Sequence, residues 1–214
     1  MNIFVIGNGE SRRGFDLNSL KNQGSIIGCN ALYRDFKPDI LVAVDRPILG
    51  EICASGYADN NRVYCRQRFY EDYKQHMGIN PLPSFWGLDP VTKKGQYFQG
   101  WSSGPSALAL ATTLYDDNDL PCKIFLIGFD LFGAEDNKVN NMYKGTPNYV
   151  HGHKPATFYG NWARQMLTVF QSRPNINFIK LGYDSTMRVP GWWEDLPNIE
   201  YDRLDKIEKY FEKK

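Results

Sequence analysis

The sequence predicts an α/β fold: a doubly wound, mostly parallel sheet in a single domain over residues 1–214. Three observations predict it. Short apolar runs rich in Ile, Val, Leu and Phe recur along the chain and read as strands buried on both faces. Helix-like segments separate them, and this alternation implies parallel strands joined by crossovers. Several of the runs also close on a small polar residue, namely Asn8, Asn30, Asp45 and Asp130.

The first strand is the run Ile3–Ile6, stopped by Gly7-Asn8-Gly9. Glycines on either side of an asparagine permit a tight turn whose amides approach a ligand closely. A short helix over 15–22 follows, then a strand over 25–29 that stops on Asn30, and a short helix or turn over 31–36. Lys37-Pro38-Asp39 breaks the chain before a strand over 40–44, which stops on Asp45. Pro47 suits the first turn of a helix over 47–54. Residues 62–65 form a short strand, and 67–76 are charged. Residues 77–99 lack periodicity and read as a long irregular excursion.

The clearest helix start is Trp101-Ser102-Ser103-Gly104-Pro105-Ser106, a serine cap with proline in the first turn. The helix over 107–115 is apolar nearly all round, so it is expected to be buried. A core strand over 123–127 closes on Gly128-Phe129-Asp130. Residues 131–155 form a second irregular stretch, expected to be a mobile lid. An amphipathic helix over 157–172, a strand over 176–181, a loop over 182–198 and a polar helix over 201–211 complete the chain. Trp192-Trp193 either packs that loop on the core or stacks on a ring.

Composition narrows the class. A net charge of +1 argues against a surface built to grip nucleic acid. Of the four cysteines, Cys29, Cys65 and Cys122 lie in or beside apolar runs, as buried thiols in a reducing compartment would. The opening residues are expected to be a core strand rather than a signal peptide, and no apolar run nears the roughly 20 residues that span a bilayer. A cytoplasmic protein is expected. Homo-oligomerisation is left open.

In a parallel sheet the carboxyl ends of the strands share one edge, where ligands bind. Asn8, Asn30, Asp45 and Asp130 all fall there, beside a helix N-terminus at Ser102–Gly104 suited to an anionic phosphate. Any one of these residues is explained by turn chemistry alone. Together they point to a phosphate-bearing, nucleotide-sized ligand.

The ordered set Gly7-Asn8-Gly9-Glu10-Ser11, Gly28-Cys29-Asn30, Ser102-Ser103-Gly104, Ile127-Gly128-Phe129-Asp130 and Gly152-His153 resembles the small bacterial CMP-sialic-acid-dependent sialyltransferases and related nucleotide-binding proteins. The matches span about residues 2–164. The resemblance implies a Rossmann-like, GT-A-like fold and an inverting glycosyltransferase that uses a nucleotide-sugar, with neither metal nor further cofactor. Asn8, Gly9 and Asn30 would contact the nucleotide and its phosphate, and the turn residue Gly7 and the strand-end Asp45 join the same nucleotide site by their position. Ser102, Ser103 and Gly104 would hold the phosphate or the sugar carboxylate from the helix end, and Gly128 and Asp130 would flank ribose and base. His153 would take the proton from the acceptor hydroxyl, a role suited to imidazole at neutral pH. Tyr143 and Tyr149 would stabilise the departing phosphate. The acceptor is open: a glycan, a lipid-linked saccharide, a protein or a modified nucleobase.

Glu10 stands where the family usually has proline, and the 131–155 segment aligns loosely. His151-Gly152-His153 has metal-ligand spacing but no nearby Cys or carboxylate partner. Asp116-Asp117-Asn118-Asp119 lies before a strand, at the wrong edge, and reads as a solvated turn. Two other readings keep the pocket: a Mg²⁺-dependent pyrophosphokinase using Asp45 and Asp130, and a nucleotide-binding module without turnover.

Overall fold

The structure is a computed structural model describing residues 1–84, 86–88, 95–97, 100–114, 122–134, 136–182 and 189–211. Its centre is an eight-stranded sheet of β1 (Asn2–Ile6), β2 (Ser25–Cys29), β3 (Ile40–Val42), β4 (Val63–Cys65), β5 (Ile79–Pro81), β8 (Lys123–Ile127), β9 (Asn177–Gly182) and β10 (Ile199–Arg203). The spatial order is β10-β9-β8-β1-β2-β3-β4-β5, and every pairing is parallel. From β1 the chain winds outward one way to β5, then returns beside β1 as β8 and winds the other way. The switch point, where ligands bind in open α/β sheets, therefore lies between β1 and β8.

Register carries the site. Ile6 pairs with Gly28 on one side and Ile127 on the other. Two residues further on, Asn8, Asn30 and Phe129 stand at one level of the carboxyl edge.

Because side chains alternate across a strand, each sheet face has its own core. Ile3 and Val5 face α4 (Ser103–Thr113) and α5 (Gly160–Ser172), with Ile27, Val42, Leu126 and Phe170. Phe4 and Ile6 face the other layer, which includes α1 (Arg46–Ala54), α2 (Tyr57–Asn60), α3 (Gln67–Tyr73) and short 3₁₀ turns. Helix α4 is buried from Pro105 to Thr112 between the sheet and α5, as its uniformly apolar composition requires.

The structure corrects several expected elements. The helix over 15–22 shortens to a 3₁₀ helix, Leu17–Leu20, whereas the short helix or turn over 31–36 is present as a 3₁₀ helix, Asn30–Arg34. Residues 77–99 contain β5 and an antiparallel pair, β6 (Trp86–Leu88) with β7 (Gly95–Tyr97). The polar helix over 201–211 is the edge strand β10 followed by a 3₁₀ helix, Leu204–Tyr210. The acidic turn at 116–119 lies outside the described residues. Trp193 is fully buried against Phe170 and Trp192 is half exposed, so this pair packs the loop on the core. All four cysteines are buried thiols, none of them in a disulfide. No helix among the described residues is long and apolar enough to cross a membrane.

Candidate functional site

The glycine turn after β1 is shaped by β8. Gly7 and Gly9 donate their amides to the Ile127 and Gly128 carbonyls, both at 2.8 Å. A Cβ on Gly7 would collide with the Gly128 carbonyl, and one on Gly9 with the Asp130 carboxylate. These two glycines bring two strand ends together. Both amides are engaged by β8, so neither N–H is open to a ligand in this arrangement. Gly128 adopts φ +70°, the left-handed region that favours glycine.

Arg12 braces the turn from below. It is 5% exposed, and its Nε donates to the Gly7 carbonyl at 2.9 Å and its Nη2 to Tyr143 Oη at 3.1 Å. Asp130 accepts from the Ser11 amide at 2.7 Å, and the Ser11 hydroxyl donates to its other oxygen. Asp130 therefore anchors the 3₁₀ turn Glu10–Arg12 while lining the cleft.

Helix α4 brings its N-terminus to the same edge. The Val44 amide donates to Ser103 Oγ at 3.2 Å, and that hydroxyl donates to Asn30 Oδ1 at 2.7 Å. One buried serine thus ties the ends of β2 and β3 to the start of α4. Asn30 holds φ +51°, a conformation asparagine tolerates better than most residues. The Ser102 side chain makes no cap hydrogen bond, and its amide donates to Gln165 at 3.1 Å. The first turn of α4 opens into the cleft.

That cleft has two adjoining lobes. The smaller, of about 230 Å³, is lined by Gly7–Gly9, Asn30, Ser102–Pro105 and Gly128–Asp130. The larger, of about 400 Å³, lies between the start of α1, the 131–155 segment and Trp162 of α5. Asn30, Asp45, Asp130, Asn140, Asn141 and Trp162 line both. Asp45 is the more open of the two carboxylates. Its side chain is 65% exposed, makes no cap bond at the start of α1, and lies 3.8 Å from Arg66.

The 131–155 segment is stitched to the strand ends. Asn140 Oδ1 accepts from the Glu10 amide at 2.9 Å, and the Met142 amide donates to the Asn8 carbonyl at 2.8 Å. Tyr149 Oη accepts from Asn8 Nδ2 at 3.1 Å and from the Ala31 amide at 3.2 Å. Burial pushes the Tyr149 phenol up to about 12. Arg34 makes two hydrogen bonds to Glu51, at 2.7 and 2.6 Å, and reaches Thr146 and Pro147. Asn148 joins the same Glu51 at 2.6 Å.

The expected catalytic residues part company here. Tyr149 lines the larger lobe, whereas Tyr143 is 5% exposed and lies in the core against Arg12. The His151 and His153 rings stack at 5.6 Å, both exposed, and neither lines either lobe. Among the described residues no group of three or more His, Cys, Asp or Glu gathers as metal ligands would. Pattern reading passed over Arg12, Asn148 and Trp162. Arg12 sits in a charged pair that reads as surface, and Trp162 falls in an amphipathic helix. Asn148 had one usable signal, the high asparagine content of 137–148.

Fold and cleft together define a doubly wound α/β protein with a cleft at its switch point, walled by carboxamides and a helix N-terminus. Comparison with protein-family models, curated proteins and solved structures found no match to this chain.

Proposed function

We propose that this chain is a glycosyltransferase that moves a sugar from a nucleotide-sugar to an acceptor hydroxyl with inversion. The observation that carries the reading is the first turn of α4 opening into the smaller lobe at the switch point, level with Asn8 and Asn30. Helix N-termini favour anions through their free amides and dipole. A nucleotide phosphate seated there would leave the larger lobe for sugar and acceptor. The choice of sugar transfer rests on the motif order that resembles the sialyltransferases.

The acceptor oxygen would attack the anomeric carbon, the bond from that carbon to the phosphate oxygen would break, and α4 would stabilise charge on the departing phosphate. The acceptor proton needs a base. His153 fills that role by resemblance and reaches the cleft only if its segment rearranges when the acceptor binds. Asp45 lines both lobes with an open carboxylate and is the second candidate. Diphosphate transfer with Mg²⁺ would draw on Asp45 and Asp130 together, but Ser11 already engages both Asp130 oxygens.

Release of free nucleotide from nucleotide-sugars tests this reading. General-base catalysis contributes about 10²–10⁴-fold, so His153→Ala should retain about one per cent of the rate or less, with donor binding unchanged. If Asp45→Asn collapses the rate and His153→Ala does not, the base is Asp45. Nucleotide binding without release from any donor would leave a binding module, and the transferase reading would fail.

A further inference from the structure

We infer that the larger lobe is a saccharide subsite for an uncharged pyranose and selects against acidic sugars. The inference takes its place in the reaction from the nucleotide-sugar reading, but its chemistry comes from separate observations.

The first is the state of three carboxamides. Ser103 Oγ accepts from the Val44 amide and donates its own proton to Asn30 Oδ1. Asn141 Oδ1 accepts from the Tyr143 amide at 2.9 Å. Asn148 Nδ2 donates to the Glu51 carboxylate at 2.6 Å. The Tyr143 amide can only donate and the Glu51 carboxylate can only accept, which settles the orientation of Asn141 and Asn148, while Asn30 turns its Oδ1 to the Ser103 hydroxyl. The ends left over are the NH₂ groups of Asn30 and Asn141 and the carbonyl oxygen of Asn148. Two donor groups and an acceptor, each fixed by the protein at its other end, suit neighbouring hydroxyls that both donate and accept. Groups held in this way lose little entropy on binding.

The second observation is the wall they face. Leu131, Phe132, Val139 and Trp162 line the same lobe. An aromatic face beside hydrogen-bonding groups suits a ring with one apolar C–H face and a polar rim.

The third is charge. Among the described residues lining the two lobes there is no Lys, Arg or His, and the charged side chains are Asp45 and Asp130. Arg66 lies 3.8 Å from Asp45, donates to the Trp101 carbonyl at 3.1 Å and lines neither lobe. The one electropositive feature is the start of α4, which the phosphate would occupy. A sugar carboxylate would therefore face like charge without a counter-ion, and such repulsion gives specificity. A neutral sugar meets no such penalty. On this point the cleft departs from the family that its motifs resemble.

The test is NMR of ¹⁵N-labelled protein titrated with methyl glycosides of neutral hexoses and, in parallel, with glucuronate and N-acetylneuraminate. Neutral glycosides should shift the side-chain NH₂ signals of Asn30 and Asn141 and the indole N–H of Trp162. The acidic sugars should need at least about tenfold higher concentration, matching about 1.4 kcal/mol. Asn141→Ala and Trp162→Ala, each checked for a dispersed spectrum, should weaken the neutral response. Acidic sugars binding as well as neutral ones would overturn the inference. So would silence toward every neutral glycoside at about 50 mM, well above a millimolar Kd, or an undiminished response in both variants. Nucleotide binding is read separately, at the Ser103 and Gly104 amides. Glycoside shifts without nucleotide shifts would keep the subsite and discard the nucleotide reading, and the reverse pattern would do the opposite.

Discussion

At the scale of residues, the site is set by close approach. Gly7 and Gly9 have ordinary backbone angles, yet a methyl group on either would strike β8's exit. Gly7→Ala should destabilise the protein by about 1–3 kcal/mol, the usual cost of overpacking, read as a lower denaturant midpoint. Gly128→Ala adds left-handed strain to contacts of 2.9 Å with the Gly7 carbonyl and 3.0 Å with Arg12, and should cost at least as much. The thiols give an independent check. Burial pushes Cys29 up to about 12 and Cys65 to about 11. Thiolate is the reactive form, so a thiol reagent at pH 8 should modify the native protein far more slowly than the unfolded chain. Fast modification of all four in the native state would contradict the buried placement.

At the scale of elements, the 131–155 segment is held by a charged latch. Burial raises the Glu51 carboxyl, but hydrogen bonds from Arg34, Tyr33 and Asn148 outweigh this and hold it below its ordinary value of 4.5. A depressed carboxyl contributes stability that is full above the unfolded value and is lost as pH falls through the folded one. Amide exchange at Thr146–Tyr149 should therefore quicken as pH drops below about 4.5, after correction for intrinsic exchange rates. Glu51→Gln should loosen the same residues at neutral pH, since a charge-assisted hydrogen bond contributes about 1.5–3 kcal/mol. Unchanged exchange in that variant would remove the latch from the account.

Much of the sheet was legible for plain reasons. Central strands β2 and β8 are buried on both faces, so their apolar runs mark their limits. The edges were not. β10 reads Ile-Glu-Tyr-Asp-Arg because, among the described residues, no strand pairs with its outer side, and β5 carries Pro81 at the opposite edge. In the 3₁₀ helix that follows β10, Leu204, Ile207 and Tyr210 recur every three residues, the period of that helix. The small polar residues at the strand ends were visible because parallel topology must collect them. The partners of Arg12 and Asn148 were not visible, since each hydrogen bond joins residues about a hundred or more positions apart.

At the scale of the molecule, the proposed function requires a phosphate-bearing nucleotide where α4 meets the switch point. Gly104 in the first turn of α4 isolates that claim. A carboxylate in this turn suits the helix dipole, and the nearest obstacle to a Cβ is the Phe129 ring at 3.1 Å. Gly104→Asp should therefore fold while placing negative charge where the phosphate would lie. The decisive measurement is thermal unfolding of parent and Gly104→Asp proteins with CMP, UDP, GDP, ADP and their sugar conjugates. A ligand at 100 times its Kd adds about 2.7 kcal/mol, which for a chain of this length raises Tm by roughly 5–10 °C. The account predicts that rise for at least one nucleotide with the parent and none with Gly104→Asp. No rise with any of them, or an equal rise in both proteins, would contradict it.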